Sequence, residues 1–182
     1  MHDLHKEIGD IISERLGSKC EILKDPACAR SGEIAQNIPL FMGQEKGRES
    51  QLCKVDMIII KDTEIKAIIE IEESNVKPMQ ILGKYLTSVF ADSFIHDVYK
   101  DKIIRKSDGA LFLQILNSKT GLKSGSKKTE QWDIIKNKLM KWSKSAGCGL
   151  DYDLLYGTCG DFKSGKKSGE KLISKLIGCI DT

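Results

Sequence analysis

The 182-residue chain has no run of about 18 uncharged apolar residues, the length a membrane-spanning helix needs. Its opening "MHDLHKEIGD" lacks the basic and apolar regions of a secretory signal. The expectation is a soluble, cytoplasmic protein with no membrane partner. Six cysteines, at 20, 28, 53, 148, 159 and 179, include no Cys-x-x-Cys pair and no tight Cys/His grouping. That argues against structural zinc and for thiols kept reduced. His2, His5 and His96 form no close constellation, and no serine sits in a nucleophile elbow, so acyl transfer finds no support. His96 beside Asp97 reads as a helix-end pair. The stretch "GDFKSGKK" (160–167) approaches a phosphate loop, but Lys167 stands where a magnesium-binding hydroxyl belongs and only 15 residues follow. It reads as a basic loop.

With 40% hydrophobic and 30% charged residues, the chain can bury one substantial core and is expected to form a single domain over 1–182. The net charge is only +3, yet it is unevenly spread. Lys119, Lys123, Lys127, Lys128, Lys136, Lys138, Lys141 and Lys144 are opposed in that segment only by Glu130 and Asp133. A basic face on a chain that also carries an acidic cluster suggests a polyanion held partly through metal ions. The plain alternative is a solvated helix face.

Leu4, Ile8, Ile11, Ile12 and Leu16 fall at helical spacing, which predicts a helix over 2–17. Residues 18–50 are punctuated by Asp25-Pro26, Gly32, Pro39, Gly43 and Gly47, leaving "IPLFM" as the one strand. Two strands follow, Val55–Lys61 and Ile65–Glu73. Asn75 is placed to cap a helix with Pro78 in its first turn and an apolar stripe of Met79, Leu82, Leu86, Val89 and Phe90. Lys77, Gln80 and Lys84 line another face. "GALFLQILNS" (109–118) predicts a strand covered on both faces. A basic loop, a helix over 129–145 packed through Trp132 and Trp142, a strand over 151–157 and a helix over 168–179 complete the chain. The order predicts an α/β protein with a mixed central sheet flanked by helices.

The chemistry concentrates in "KVDMIIIKDTEIKAIIEIEES" (54–74). Alternation along the second strand puts Glu70 and Glu72 on one face and Glu73 on the other. If a three-residue loop pairs Lys61 with Ile65, Asp56 lies opposite Glu70, with Cβ atoms about 5 Å apart. An even loop would turn Asp56 away. Three carboxylates at the edge of an apolar layer repel one another unless a cation neutralises them. A hard divalent ion, magnesium or manganese in its place, meets that need and can activate water for phosphodiester hydrolysis. The alternative is a fraying acidic strand end in solvent.

Asp56, the two strands and "IIEIEES" resemble the PD-(D/E)XK nuclease signature, in which an aspartate opens one strand and hydrophobic-Glu-x-Lys closes the next. The helix-strand-strand-helix-strand order over 2–118 is similar to that superfamily's restriction-endonuclease-like core. The resemblance implies a magnesium-dependent endonuclease acting on DNA, restriction endonucleases among its relatives, with Asp56 and Glu70 as metal ligands. Glu72 stands where the superfamily usually has lysine, as in its Glu-x-Glu variants, and Val55 replaces the motif proline. Glu72 is then a second metal ligand or a general base, or Lys77 or Lys84 reaches back to supply the missing cation. The superfamily often adds a glutamate from the first helix, for which Glu7 and Glu14 are candidates, and Glu49 is another. Lys46, Arg48, Lys77, Lys84, Lys123, Lys127 and Lys128 are the expected phosphate contacts. Cutting both strands of a duplex suggests a homodimer. A nucleic-acid-binding module that has lost catalysis is the competing expectation, and a metal enzyme acting on a small phosphorylated substrate a further one.

Overall fold

The structure, a computed structural model, describes residues 3–74, 76–118 and 126–181. Helix α1 (Asp3–Leu16) leads into β1 (Glu21–Lys24), β2 (Ile38–Phe41), β3 (Gln51–Val55), β4 (Met57–Lys61) and β5 (Glu64–Glu72). Helix α2 (Pro78–Phe90), β6 (Ser93–Ile95), β7 (Ile103–Asn117), α3 (Lys127–Ala146), β8 (Leu150–Gly157) and α4 (Lys167–Ile180) follow. Among the described residues the strands form one mixed sheet in the order β1-β4-β5-β7-β6-β2-β3, with β8 alongside β7. Only the β5–β7 and β7–β8 pairings are parallel. The protein is thus α/β, with a mixed, mostly antiparallel sheet flanked by four helices. No helix among the described residues is long and apolar enough to cross a membrane.

Two apolar layers hold the helices to the sheet. Alternate residues Met57, Ile59, Ala67, Ile69, Ile71, Leu113 and Ile115 pack against α1 and α4. Ile58, Ile60, Ile65, Ile68, Phe112 and Leu116 pack against α2, α3 and the β2–β3 hairpin. Helix α1 comes unusually near the chain after β1, because Gly9 has no side chain. A Cβ there would lie 2.1 Å from the Cys28 carbonyl oxygen, which is backbone and cannot yield cheaply. Gly9→Ala is therefore expected to cost about 1 to 3 kcal/mol in urea unfolding; an unchanged midpoint would contradict that close packing.

Several expectations need correction. The first strand of the acidic hairpin is broken at Asp56 into β3 and β4, since β3 belongs to the folded-over β2–β3 hairpin and the chain bends there. The loop between β4 and β5 has two residues, not three. Lys61 pairs with Glu64, and Asp62 and Thr63 both have positive φ, as a type I′ turn demands. A bulge at Lys66 then inserts one residue, and the register beyond it pairs Met57 with Ile69. Continued by one step, that register sets Asp56 opposite Glu70, so turn and bulge together restore the alignment an odd loop was expected to give.

The buried face of α2 is Ile81, Tyr85 and Ser88, whereas Met79, Leu86 and Phe90 of the expected stripe are exposed. Tyr85 wins because its ring packs at tilted and edge-on angles among Phe112, Tyr152 and Trp142 and its hydroxyl donates to the Leu150 carbonyl at 2.7 Å. Trp132 is buried, but Trp142 is 41% exposed, with its ring edge-on to Tyr85. The short strands β1 and β6 carry too little pattern to be seen in sequence, and β7 begins at Ile103 because its first residues pair with β6. The expected Asn75 cap lies outside the described residues; Lys77 is the N-cap, with Pro78 at the first helical position.

Candidate active site

The site forms where β5 ends. Its backbone places Glu70 and Glu72 on the α2 side of the sheet, with Glu70 only 2% exposed. Two turns into α2, Lys84 reaches back over them. Its ammonium lies 2.6 Å from Glu70 Oε2 and 2.7 Å from Glu72 Oε1. The first contact is a hydrogen bond, whereas Glu72 Oε1 meets Lys84 as an ion pair and has no aligned hydrogen bond among the described residues. Asp56 sits at the bend between β3 and β4 and accepts a hydrogen bond from the Ile71 N–H at 2.7 Å, which fixes it against the end of β5.

The sequence did not point to His5. It lies one residue from Leu4 on the buried side of α1, and its Nδ1 is 2.8 Å from Glu73 Oε1 while Nε2 is 3.7 Å from Asp56 Oδ2. Glu73 also accepts from the N–H groups of Leu4 and His5, so it ties the start of α1 to the end of β5. The available signal was position: His5 precedes Ile8 and Ile12 at helical spacing and so shares their buried side. Gln114 was also missed. It is level with Glu70 on the neighbouring strand, fully buried, with its carbonyl accepting from the Tyr152 hydroxyl at 2.8 Å and no partner for its amide nitrogen among the described residues.

The electrostatics follow from burial and proximity. Burial pushes Glu70 up to about 8, the Asp56 charge adds to this, and Lys84 offsets it only in part. Burial works against the charge on Lys84, but Glu70 and Glu72 outweigh it and raise the ammonium above its usual range. Burial likewise opposes a charged His5, yet hydrogen bonds and charges of Asp56 and Glu73 raise it to about 9. Burial alone would raise Asp56, but hydrogen bonds from His5 and Ile71 and the His5 and Lys84 charges hold it below its usual range.

Of the residues expected here, Asp56, Glu70, Glu72 and Lys84 come together. Lys77 is an exposed N-cap whose N–H donates to Gln80, and it makes no contact with the cluster among the described residues. From α1 it is His5, not Glu7 or Glu14, that faces the site: Glu7 lies beside Cys159 and Glu14 is exposed. Glu49 is exposed on the β2–β3 loop, and Lys46 there is engaged by Asp97 and Asp101. Lys46 and Arg48 instead line a separate cleft of about 330 Å³ floored by Pro39, Phe41 and Ile95. Lys127 and Lys128 open α3, the latter over the Trp132 ring, whereas Lys123 lies outside the described residues.

Among the described residues, no group of three or more His, Cys, Asp or Glu side chains is arranged as a ready-made metal cage. Magnesium seldom needs one: it takes one or two carboxylates and completes its shell with water and phosphate oxygens. Asp56 and Glu70, with Glu72 Oε1 beside them in contact with Lys84, offer carboxylate oxygens that fit that hard-oxygen requirement. The fold and site together describe an α/β protein with a buried carboxylate-lysine-histidine cluster at one sheet end. Comparison of the chain with protein-family models, with curated proteins and with solved structures finds no match.

Proposed function

We propose that the chain is a divalent-metal-dependent nuclease of the PD-(D/E)XK kind that hydrolyses phosphodiester bonds in DNA. The observation that carries this is the Lys84 ammonium between Glu70 and Glu72. The cation that the signature places two residues after its glutamate arrives instead from α2. The element order supports the reading as well: with the β2–β3 hairpin and β6 as insertions, α1, β1, β4, β5, α2 and β7 come in that order along the chain, and their strands lie side by side as β1-β4-β5-β7.

In this proposal Asp56 and Glu70 hold magnesium, or manganese in its place. Held by these two carboxylates, such an ion would supply activation of a water and polarisation of a phosphoryl oxygen. Lys84 keeps its proton and steadies negative charge developing on the phosphate. Glu73 orients His5, which keeps Asp56 ionised and aimed. A symmetric homodimer would present two such sites to the two strands of a duplex.

Nicking of supercoiled plasmid in magnesium tests the assignment: Asp56→Ala and Glu70→Ala are each expected to abolish it, and chelation to stop the wild type. Activity persisting in both variants would sink the site. A second reading is a nucleic-acid-binding module without catalysis, favoured by one feature, that Lys84 already neutralises Glu70 and Glu72 from within the protein. Calorimetry with manganese separates the two. Absent metal binding alongside salt-sensitive DNA binding selects the module.

A further inference from the structure

The lysines that surround the cluster are sorted by the sheet, not by the sequence. Glu72, Leu116 and Tyr156 lie in one row across β5, β7 and β8, all three strands running the same way. The chain therefore leaves β8 one residue beyond the Glu72 row, and the segment 158–167 lies at the same sheet end as the carboxylates. Adjacent strands are about 4.8 Å apart, so β8 is only about 10 Å from β5. On the α1 side the segment also touches the site's own support: Cys159 Sγ donates to the Asp3 carbonyl at 3.6 Å, and the next residue, Leu4, donates to Glu73.

Lys163, Lys166 and Lys167 are exposed on this segment. Among the described residues none of them is in an ion pair. The nearby carboxylates are already engaged, Asp161 by the Thr158 N–H and hydroxyl and Glu170 by Arg15 and the Gly165 N–H. Helix α3 starts on the opposite face of the sheet at the same end. Trp132 packs at a tilt against Tyr156, Lys136 donates to the Leu154 carbonyl, and the helix ends near Cys148 and Leu150. Lys127 and Lys128 thus lie toward the carboxylates, and Lys138, Lys141 and Lys144 toward the far end.

We propose that a nucleic-acid backbone crosses this end of the sheet between the two faces, with Lys163, Lys166 and Lys167 as phosphate contacts opposite Lys127 and Lys128. Lys138, Lys141 and Lys144 take no part. The inference rests on the nuclease reading and names the path of its substrate. Three unpaired ammonium groups beside a cluster of carboxylates supply the positive potential a phosphodiester needs to approach those acids.

Equilibrium binding of a fluorescent DNA duplex, in chelator so that no strand is cut, tests the path. Lys163→Glu with Lys166→Glu and Lys167→Glu is expected to weaken binding at least about tenfold and to flatten the salt dependence by about two to three counterions. Lys138→Glu with Lys141→Glu and Lys144→Glu is expected to stay within about threefold of wild type. Wild-type affinity in the first variant, or an equal loss in the second, overturns the path while leaving the nuclease reading standing. Failure of the wild type to bind duplex at low salt overturns both.

Discussion

Lys84→Met is expected to reduce plasmid nicking by about 10²- to 10³-fold, the usual loss when one group aimed at developing charge is removed. It is also expected to destabilise the metal-free protein by about 2 to 4 kcal/mol, because it strips the cation from two carboxylates that the fold buries. The lower part of that range is the better guide, since the Lys84 side chain is 36% exposed and water screens its charge. The loss should deepen as pH rises, because without the ammonium the buried Glu70 resists ionisation further. Adding Glu70→Gln to the methionine variant should recover stability and leave nicking dead. Recovery of nicking in the double variant would show that neither Lys84 nor Glu70 acts in the reaction.

Glu70→Gln alone is expected to abolish nicking and, in metal-free buffer, to leave the protein as stable as wild type or more so. Glu70 ionises near 8 in the fold against 4.5 for an ordinary glutamate. Between those values the folded state binds more protons than the unfolded one, so stability falls as pH rises across that window. Glutamine removes that slope. His5, raised from 6.5 to about 9, contributes stability that is complete below 6.5 and is lost as pH approaches 9, and this part of the slope should remain in the variant. Urea unfolding at about pH 5 and about pH 9 reads both. A variant less stable than wild type at the higher pH would mean that the carboxylate is a structural ion-pair partner, not a group kept for its charge at stability's expense.

Much of this chain was legible. Leu4, Ile8, Ile12 and Leu16 repeat at helical spacing along α1, and "GALFLQIL" is unbroken by polar residues other than Gln114, so α1 and the heart of β7 could be read directly. Glu70 and Glu72 share a face because strand geometry leaves no choice. Where local pattern was weak, the assignment failed. The β4–β5 loop has no glycine, so nothing in "DTE" signalled that Asp62 and Thr63 would both take positive φ or that Lys66 would bulge. The α2 stripe was assigned to its larger aliphatics, but Tyr85, with a hydroxyl that finds a buried carbonyl, turned the helix by part of a turn. His5 was passed over because its partners, Asp56 and Glu73, lie 51 and 68 residues away.

The sequence by itself determined the α/β class, the apolar strands and the placing of Glu70 and Glu72 on one strand face, since period and residue type act within a few neighbours. Only the tertiary structure decided which cation meets those acids, which group on α1 faces them, and which lysines share their end of the sheet. The reason is range: these pairings close over tens of residues, and their partners are set by the register of β5, β7 and β8 and by the packing of α1 and α2, quantities that no local pattern encodes.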